Sequence, residues 1–121
     1  MKYLLLVHHD EEAFGKFSEA TRQQMLEESV RLTHQLHTNG QYRSASPLYP
    51  ASTAAIVRVR DGTKFVTDGP FAETREQVAG YFLIKAKDLD EAIGIAARVP
   101  GARIGSVEVR PVKEIPGLPT E

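Results

Sequence analysis

His8 and Asp68 are the residue types in this chain best suited to moving a proton. An imidazole changes charge near neutral pH, and a carboxylate beside it can orient the ring and stabilise the cation that forms. If the fold brings them together, they make a base and its orienter. Each also has a plain structural reading. His8 follows Leu4-Leu5-Leu6-Val7 and can simply close a strand with its ring half exposed. Asp68 opens Asp68-Gly69-Pro70-Phe71, where its carboxylate can accept backbone N–H groups around Phe71 and Ala72 in an Asx-type corner. Glycine admits φ values closed to other residues, proline locks its own φ, and the residue before proline is pushed out of the helical region. The tetrapeptide is therefore a rigid bend that holds a carboxylate beside an aromatic ring. Phe71 is a candidate substrate contact, although packing into the core or an interface is the favoured reading of it.

A second group lies at strand-like spacing. Ser106, Glu108 and Arg110 share one side of an alternating segment, Tyr81 and Lys85 share a side with Leu83, and a hairpin strand adds Arg58 and Arg60 beside Ile56 to the same mixed face. Arg58, Tyr81, Glu108 and Arg110 are the substrate-binding candidates. Arginine forks among aliphatic side chains can hold a carboxylate or an enolate. The structural alternative is a cross-strand ion pair of Arg58 or Arg110 with Glu108 at an interface. His34 and His37 sit three residues apart on a predicted helix, a spacing that can serve one metal, but Glu27 and Glu28 lie nearly two turns back. They read as helix-surface histidines, and no metal site is expected.

These residues must be positioned by the elements around them. Residues 2–8 form a short apolar run that predicts a buried strand. Ser18-Glu19 offers a helix N-cap, and 19–38 follows with Met25, Leu26, Ser29, Val30, Leu32, Thr33 and Leu36 on one broad side. Asn39-Gly40 ends that helix. Tyr42 to Ala45 reads as a brief strand and Ser46 to Pro50 as loop. A hairpin follows: 54–60, the turn Asp61-Gly62, then 63–67. Residues 78–86 predict a central strand. Asp88 caps a helix over 89–98, with Glu91 three residues on, and the last strand covers 104–112. The order β-α-β-(hairpin)-β-α-β predicts a ferredoxin-like α+β fold in which two helices cover one face of an antiparallel sheet. The other face, part apolar and part ionic, then meets a partner or lines a pocket.

Composition narrows the function classes. A length of 121 residues with 41% hydrophobic content suits one domain over 1–121, with 113–121 an extended tail. The absence of cysteine removes disulfides and thiolate catalysis. Fifteen basic residues are balanced by sixteen acidic ones and scattered, which argues against direct nucleic-acid contact. The leading apolar run is too short for a signal peptide or a membrane span, so a cytoplasmic protein with no membrane association is expected.

The Asp68 corner also carries a resemblance. Val66-Thr67-Asp68-Gly69-Pro70-Phe71-Ala72-Glu73-Thr74-Arg75-Glu76-Gln77 resembles the signature of the YCII-related family, whose DGPF-type members are named for this tetrapeptide. Met1-Lys2-Tyr3 with its leucines, 53–62, Gly80 to Ile84, Asp90-Glu91-Ala92 and 105–111 match in the same order, so the likeness runs essentially end to end. It implies a dimeric α/β-barrel arrangement, in which two ferredoxin-like units dock sheet to sheet as a homodimer and enclose a cavity. Shorter relatives carry a histidine near the start of the first helix and an Asp-Pro tract near the end of the second, a suspected acid–base pair. Here Ser18 to Gln24 holds no histidine and the second position reads Arg98-Val99-Pro100-Gly101, so that pair does not transfer.

Two functions follow from different classes. The first is a small cofactor-free enzyme using His8 or Asp68 on a small, unidentified substrate over the mixed face; lyase, isomerase and oxygenase chemistry fit by fold analogy. The alternative is a non-catalytic ligand- or protein-binding regulatory module. The resemblance implies a transcription context for it, since family members occur beside or fused to sigma factors. It would act without touching DNA.

Overall fold

The computed structural model describes residues 1–119. Four strands form one antiparallel sheet in the order β2-β5-β1-β6: β1 (Lys2–His9), β2 (Tyr42–Pro47), β5 (Gln77–Lys85) and β6 (Ser106–Pro111). Two long connections carry helices α2 (Glu19–Thr38) and α3 (Leu89–Ala97). This is the ferredoxin-like α+β arrangement, with a further hairpin, β3 (Ala55–Arg60) and β4 (Thr63–Asp68), between β2 and β5.

Alternation along β1 decides the core. Tyr3, Leu5 and Val7 are buried on the helix side, while Leu4, Leu6 and His8 take the other face. Phe82 and Ile84 of β5 join the first set and meet Leu32 and Leu36 of α2 and Ala92, Ile95 and Ala96 of α3. Both helices start as their sequences predict. The Ser18 Oγ accepts from Thr21 N–H at 3.1 Å, and the Asp88 Oδ1 accepts from Glu91 N–H at 2.9 Å. Glu91 does not reach back to Asp88; its Oε1 accepts from Lys87 N–H and the Gln41 amide. At the end of α2, Gly40 takes φ +72° and the Gln41 N–H returns to the Leu36 carbonyl at 2.8 Å. The Asp61-Gly62 turn has φ +50° and +74°, the two positive values its hairpin requires.

Four features depart from the sequence reading. β2 runs on through Ser46 and Pro47, which pair with Tyr81 and Gly80 where the sequence predicts loop. A short helix α1 (Glu11–Gly15) follows β1, started by Asp10, whose Oδ1 accepts from Ala13 N–H at 3.1 Å. One turn has no hydrophobic period to announce it. The β3–β4 hairpin forms its own two-stranded ribbon and does not extend the main sheet. Pro47 and Pro50 flank the exit from β2 and a 3₁₀ turn (Ala51–Thr53) redirects the chain, so Arg58 and Arg60 leave the mixed sheet face. The last strand starts at Ser106, because Pro100–Arg103 forms a 3₁₀ turn whose Gly101 carbonyl holds the Ile104 and Gly105 N–H groups. Residues 112–119 carry no helix or strand, and the rest of the expected tail lies outside the described residues. No helix among the described residues is long and apolar enough to cross a membrane.

Candidate functional site

The end of β1 is where the sheet is irregular. Val7 pairs with Gly80 but His8 pairs with Val78, so Ala79 is an extra residue on β5, a β-bulge. A bulge bends its strand and re-aims the side chains beside it. The Ala79 carbonyl accepts from Leu48 N–H at 2.8 Å, which pins the loop after β2 against this point. The same loop is held a second time where the Ala51 N–H meets Glu11 Oε2 at 2.9 Å. It also holds the Asp68 corner, since Gly69 N–H donates to the Ala54 carbonyl at 2.7 Å. Gly69 has φ +96°, a conformation that excludes most side chains.

These tethers enclose a cavity of about 600 Å³ at the end of β1, walled by His8, Tyr49, Pro70, Phe71, Glu76 and Val78 among others. His8 Nε2 lies 3.1 Å from Glu108 Oε1, and Glu108 Oε2 lies 3.3 Å from Arg110 Nη1. His8 faces Ser106 across the β1–β6 ladder, so Glu108 is its diagonal neighbour. The Ser106 hydroxyl donates to Glu76 Oε1 at 3.0 Å, which links β6 to the cavity wall. The bond from His8 first, and Arg110 second, hold the Glu108 carboxyl below the ordinary glutamate range. An ionised carboxylate only accepts, so the proton of this bond sits on Nε2. That leaves the Nδ1 lone pair of a neutral His8 without a partner among the described residues.

The candidates therefore separate. His8, Glu108 and Arg110 come together in one chain of contacts, and Phe71 joins His8 at the cavity wall. Phe71 is 80% exposed and takes no part in the core. Asp68 closes β4 opposite Ala55, exposed, and does not line this cavity. Its carboxylate accepts no hydrogen bond among the described residues, so the expected Asx bonds are not made; the corner is held instead by the Gly69-to-Ala54 backbone bond. Arg58 faces Phe65 on the exposed ribbon, and it forms no ion pair with Glu108. Tyr81 lies on β5 opposite Leu6, its hydroxyl 3.1 Å from Ser44 Oγ. His37 packs edge-on to Tyr42 at 6.3 Å between centroids.

The sequence reading missed one participant, Glu76, and the partner of another, Glu108. Glu76 has no periodic signal, since it lies in the irregular stretch before β5. Glu108 is placed on the correct face by alternation, but its pairing with His8 depends on the β1–β6 register, which is a nonlocal property.

Comparison with known proteins gives the family. The YCII-related domain family matches residues 1–116. An uncharacterised protein of Rhizobium meliloti (strain 1021) is 33% identical over 114 residues, covering 93% of this chain and 92% of that protein.

Proposed function

This chain belongs to the YCII-related domain family, and on that footing we propose that it is a small enzyme using His8 as a general base on a small substrate. The observation that carries this reading is the 3.1 Å contact between His8 Nε2 and Glu108 Oε1 at the wall of a cavity. Glu108 fixes the tautomer and stabilises the imidazolium as the proton arrives, and Arg110 keeps Glu108 ionised. His8 Nδ1 takes the proton and returns it at another substrate atom, which needs no external oxidant. Phe71 and Tyr49 supply apolar and aromatic surface for the substrate body. Asp68 positions the corner that carries Pro70 and Phe71, and its own carboxylate takes no proton.

A second copy of the chain completes the site in this reading. Val57, Val59 and Val66 share one side of the β3–β4 ribbon and are 61%, 59% and 56% exposed, an apolar surface that favours a protein partner. Leu4 and Leu6 lie on the open sheet face between the ionic groups.

The test is a metabolite screen by thermal shift, followed by turnover in deuterated water. Substrates that stabilise the protein should exchange a carbon-bound proton with solvent. Replacing His8 by Gln should remove that exchange while leaving the fold, and Glu108→Gln should reduce it by roughly 10²-fold or more. Unchanged exchange in His8→Gln ends the proposal.

A further inference from the structure

A separate cavity of about 290 Å³ lies on the opposite side of the sheet, under α2. Small residues stand among the larger ones on both of its walls. Ser29 and Thr33 occupy the middle of the α2 stripe, and their hydroxyls fold back onto the helix, donating to the Met25 and Val30 carbonyls. Facing them, the sheet side offers Ala45, Gly80 and Gly101. α2 consequently buries only Leu32 and Leu36, in its C-terminal half. Leu26 and Val30, which line the cavity, remain 45% and 46% exposed.

One charge belongs to this cavity. Arg22 lines it and is half-buried, and because it precedes Met25, Leu26 and Ser29 by three, four and seven residues it shares their face of α2. Its Nη1 donates to the Gly15 and Phe17 carbonyls, which fixes the side chain in place. A guanidinium carries five N–H donors in a planar fork, and the remaining ones have no partner among the described residues. No carboxylate forms an ion pair with Arg22 among those residues. His9 and Phe14, stacked with ring centroids 4.4 Å apart, supply planar wall nearby.

We propose that this cavity is a second binding site, for a small aromatic carboxylate whose ring body lies between α2 and the sheet and whose carboxylate is held by Arg22. The charge rule requires an anion, since a half-buried arginine gains most from a bidentate oxygen pair. Size selects the body. An apolar cavity of about 150 Å³ takes a benzene ring, so this one accommodates roughly two fused rings. The site is independent of His8, which lines the other cavity.

The probes are 2-naphthoate and its neutral isostere naphthalene-2-carboxamide, titrated against protein carrying ¹³C-labelled methyl groups. Naphthoate should shift the Met25, Leu26 and Val30 methyls saturably, and the amide should bind roughly ten-fold or more weakly. Arg22→Gln should bring the acid down to the affinity of the amide. Ser29→Phe fills the cavity without touching Arg22 and should abolish binding of both probes. His8→Gln should change none of these titrations. The proposal is overturned if the three methyls do not shift, if acid and amide bind wild type equally, or if a folded Ser29→Phe protein still binds naphthoate at these methyls.

Discussion

His8 and His9 are neighbours in the chain and face opposite sides of the same sheet, and their surroundings differ at every level. His8 is held by ionic groups of a neighbouring strand, Glu108 and through it Arg110, beside a cavity built from loops. His9 is held by ring stacking on Phe14 beside a cavity built from a helix and the sheet. Burial lowers the His9 pKa against the opposing pull of Glu11, Asp10 and Glu76. The difference teaches that a strand end can serve two environments at once, because side chains alternate while the backbone is shared. Anything that moves the backbone must affect both sites. Anything confined to a wall should affect one.

The shared backbone offers the largest test. A Cβ on Gly105 would stand 2.0 Å from the His8 carbonyl oxygen and 3.0 Å from the His9 Cα, so alanine there forces β6 away from β1. Backbone atoms have little room to give. Gly105→Ala should cost at least about 3 kcal/mol in denaturant unfolding and weaken ligand binding on both faces. Loss on one face alone would mean that the two sites are not coupled through this strand end.

α2 supplies the next contrast, since its two halves pack differently. Leu36 is fully buried, and Leu36→Ala should cost about 3 kcal/mol. Leu26 is 45% exposed at the edge of the cavity, and Leu26→Ala should stay within about 0.5 kcal/mol. Equal costs, measured from the same unfolding curves, would mean that the N-terminal half of α2 packs as tightly as the C-terminal half and that the cavity beneath it closes in solution.

Legibility in the sequence followed the range of the interactions. Ser18, Asp88, Asn39-Gly40 and Asp61-Gly62 act on backbone within a few residues, and the elements they delimit are readable from them. The alternation in β1 and β6 likewise assigns His8, Glu108 and Arg110 to one face. Pairing was not readable in the same way. The bulge at Ala79 and the β1–β6 register are set by pairing between distant segments, and they decide what His8 touches. Asp68 drew attention as half of a base pair because it sits in the most conspicuous motif. That motif shapes a wall through Gly69 and presents Pro70 and Phe71, while its carboxylate stays outside the cavity. Helical spacing places Arg22 on the face of Met25, Leu26 and Ser29, but the Gly15 and Phe17 carbonyls that hold its side chain there belong to the unannounced turn around α1.

Acid separates the two histidine environments. Because burial depresses the His9 pKa, the unfolded chain binds a proton there that the folded chain resists. Stability is then full above the ordinary imidazole value of about 6.5 and declines as pH falls toward the lower folded value. Glu108 has the same sign in a lower window: its contribution is present above the ordinary glutamate range and is lost as pH falls through the depressed folded value. His9→Gln should flatten the first decline and leave the second, and Glu108→Gln should do the reverse. Unfolding curves collected between pH 3 and 8 read both, and a decline that survives in both variants would assign it to other groups.

The smallest stability effect should come with one of the clearest functional ones. Phe71 is 80% exposed and makes no core contact, so Phe71→Ala should change unfolding free energy by no more than about 0.5 kcal/mol. It nevertheless removes aromatic surface from the wall that His8 shares. A ligand found in that cavity should bind the variant more weakly by about ten-fold, the scale of one lost aromatic contact, whereas 2-naphthoate under α2 should bind unchanged. Weakening of both ligands would make Phe71 part of the common frame. Weakening of the first alone ties the ring to the His8 face, as the separation of the two cavities by the sheet requires.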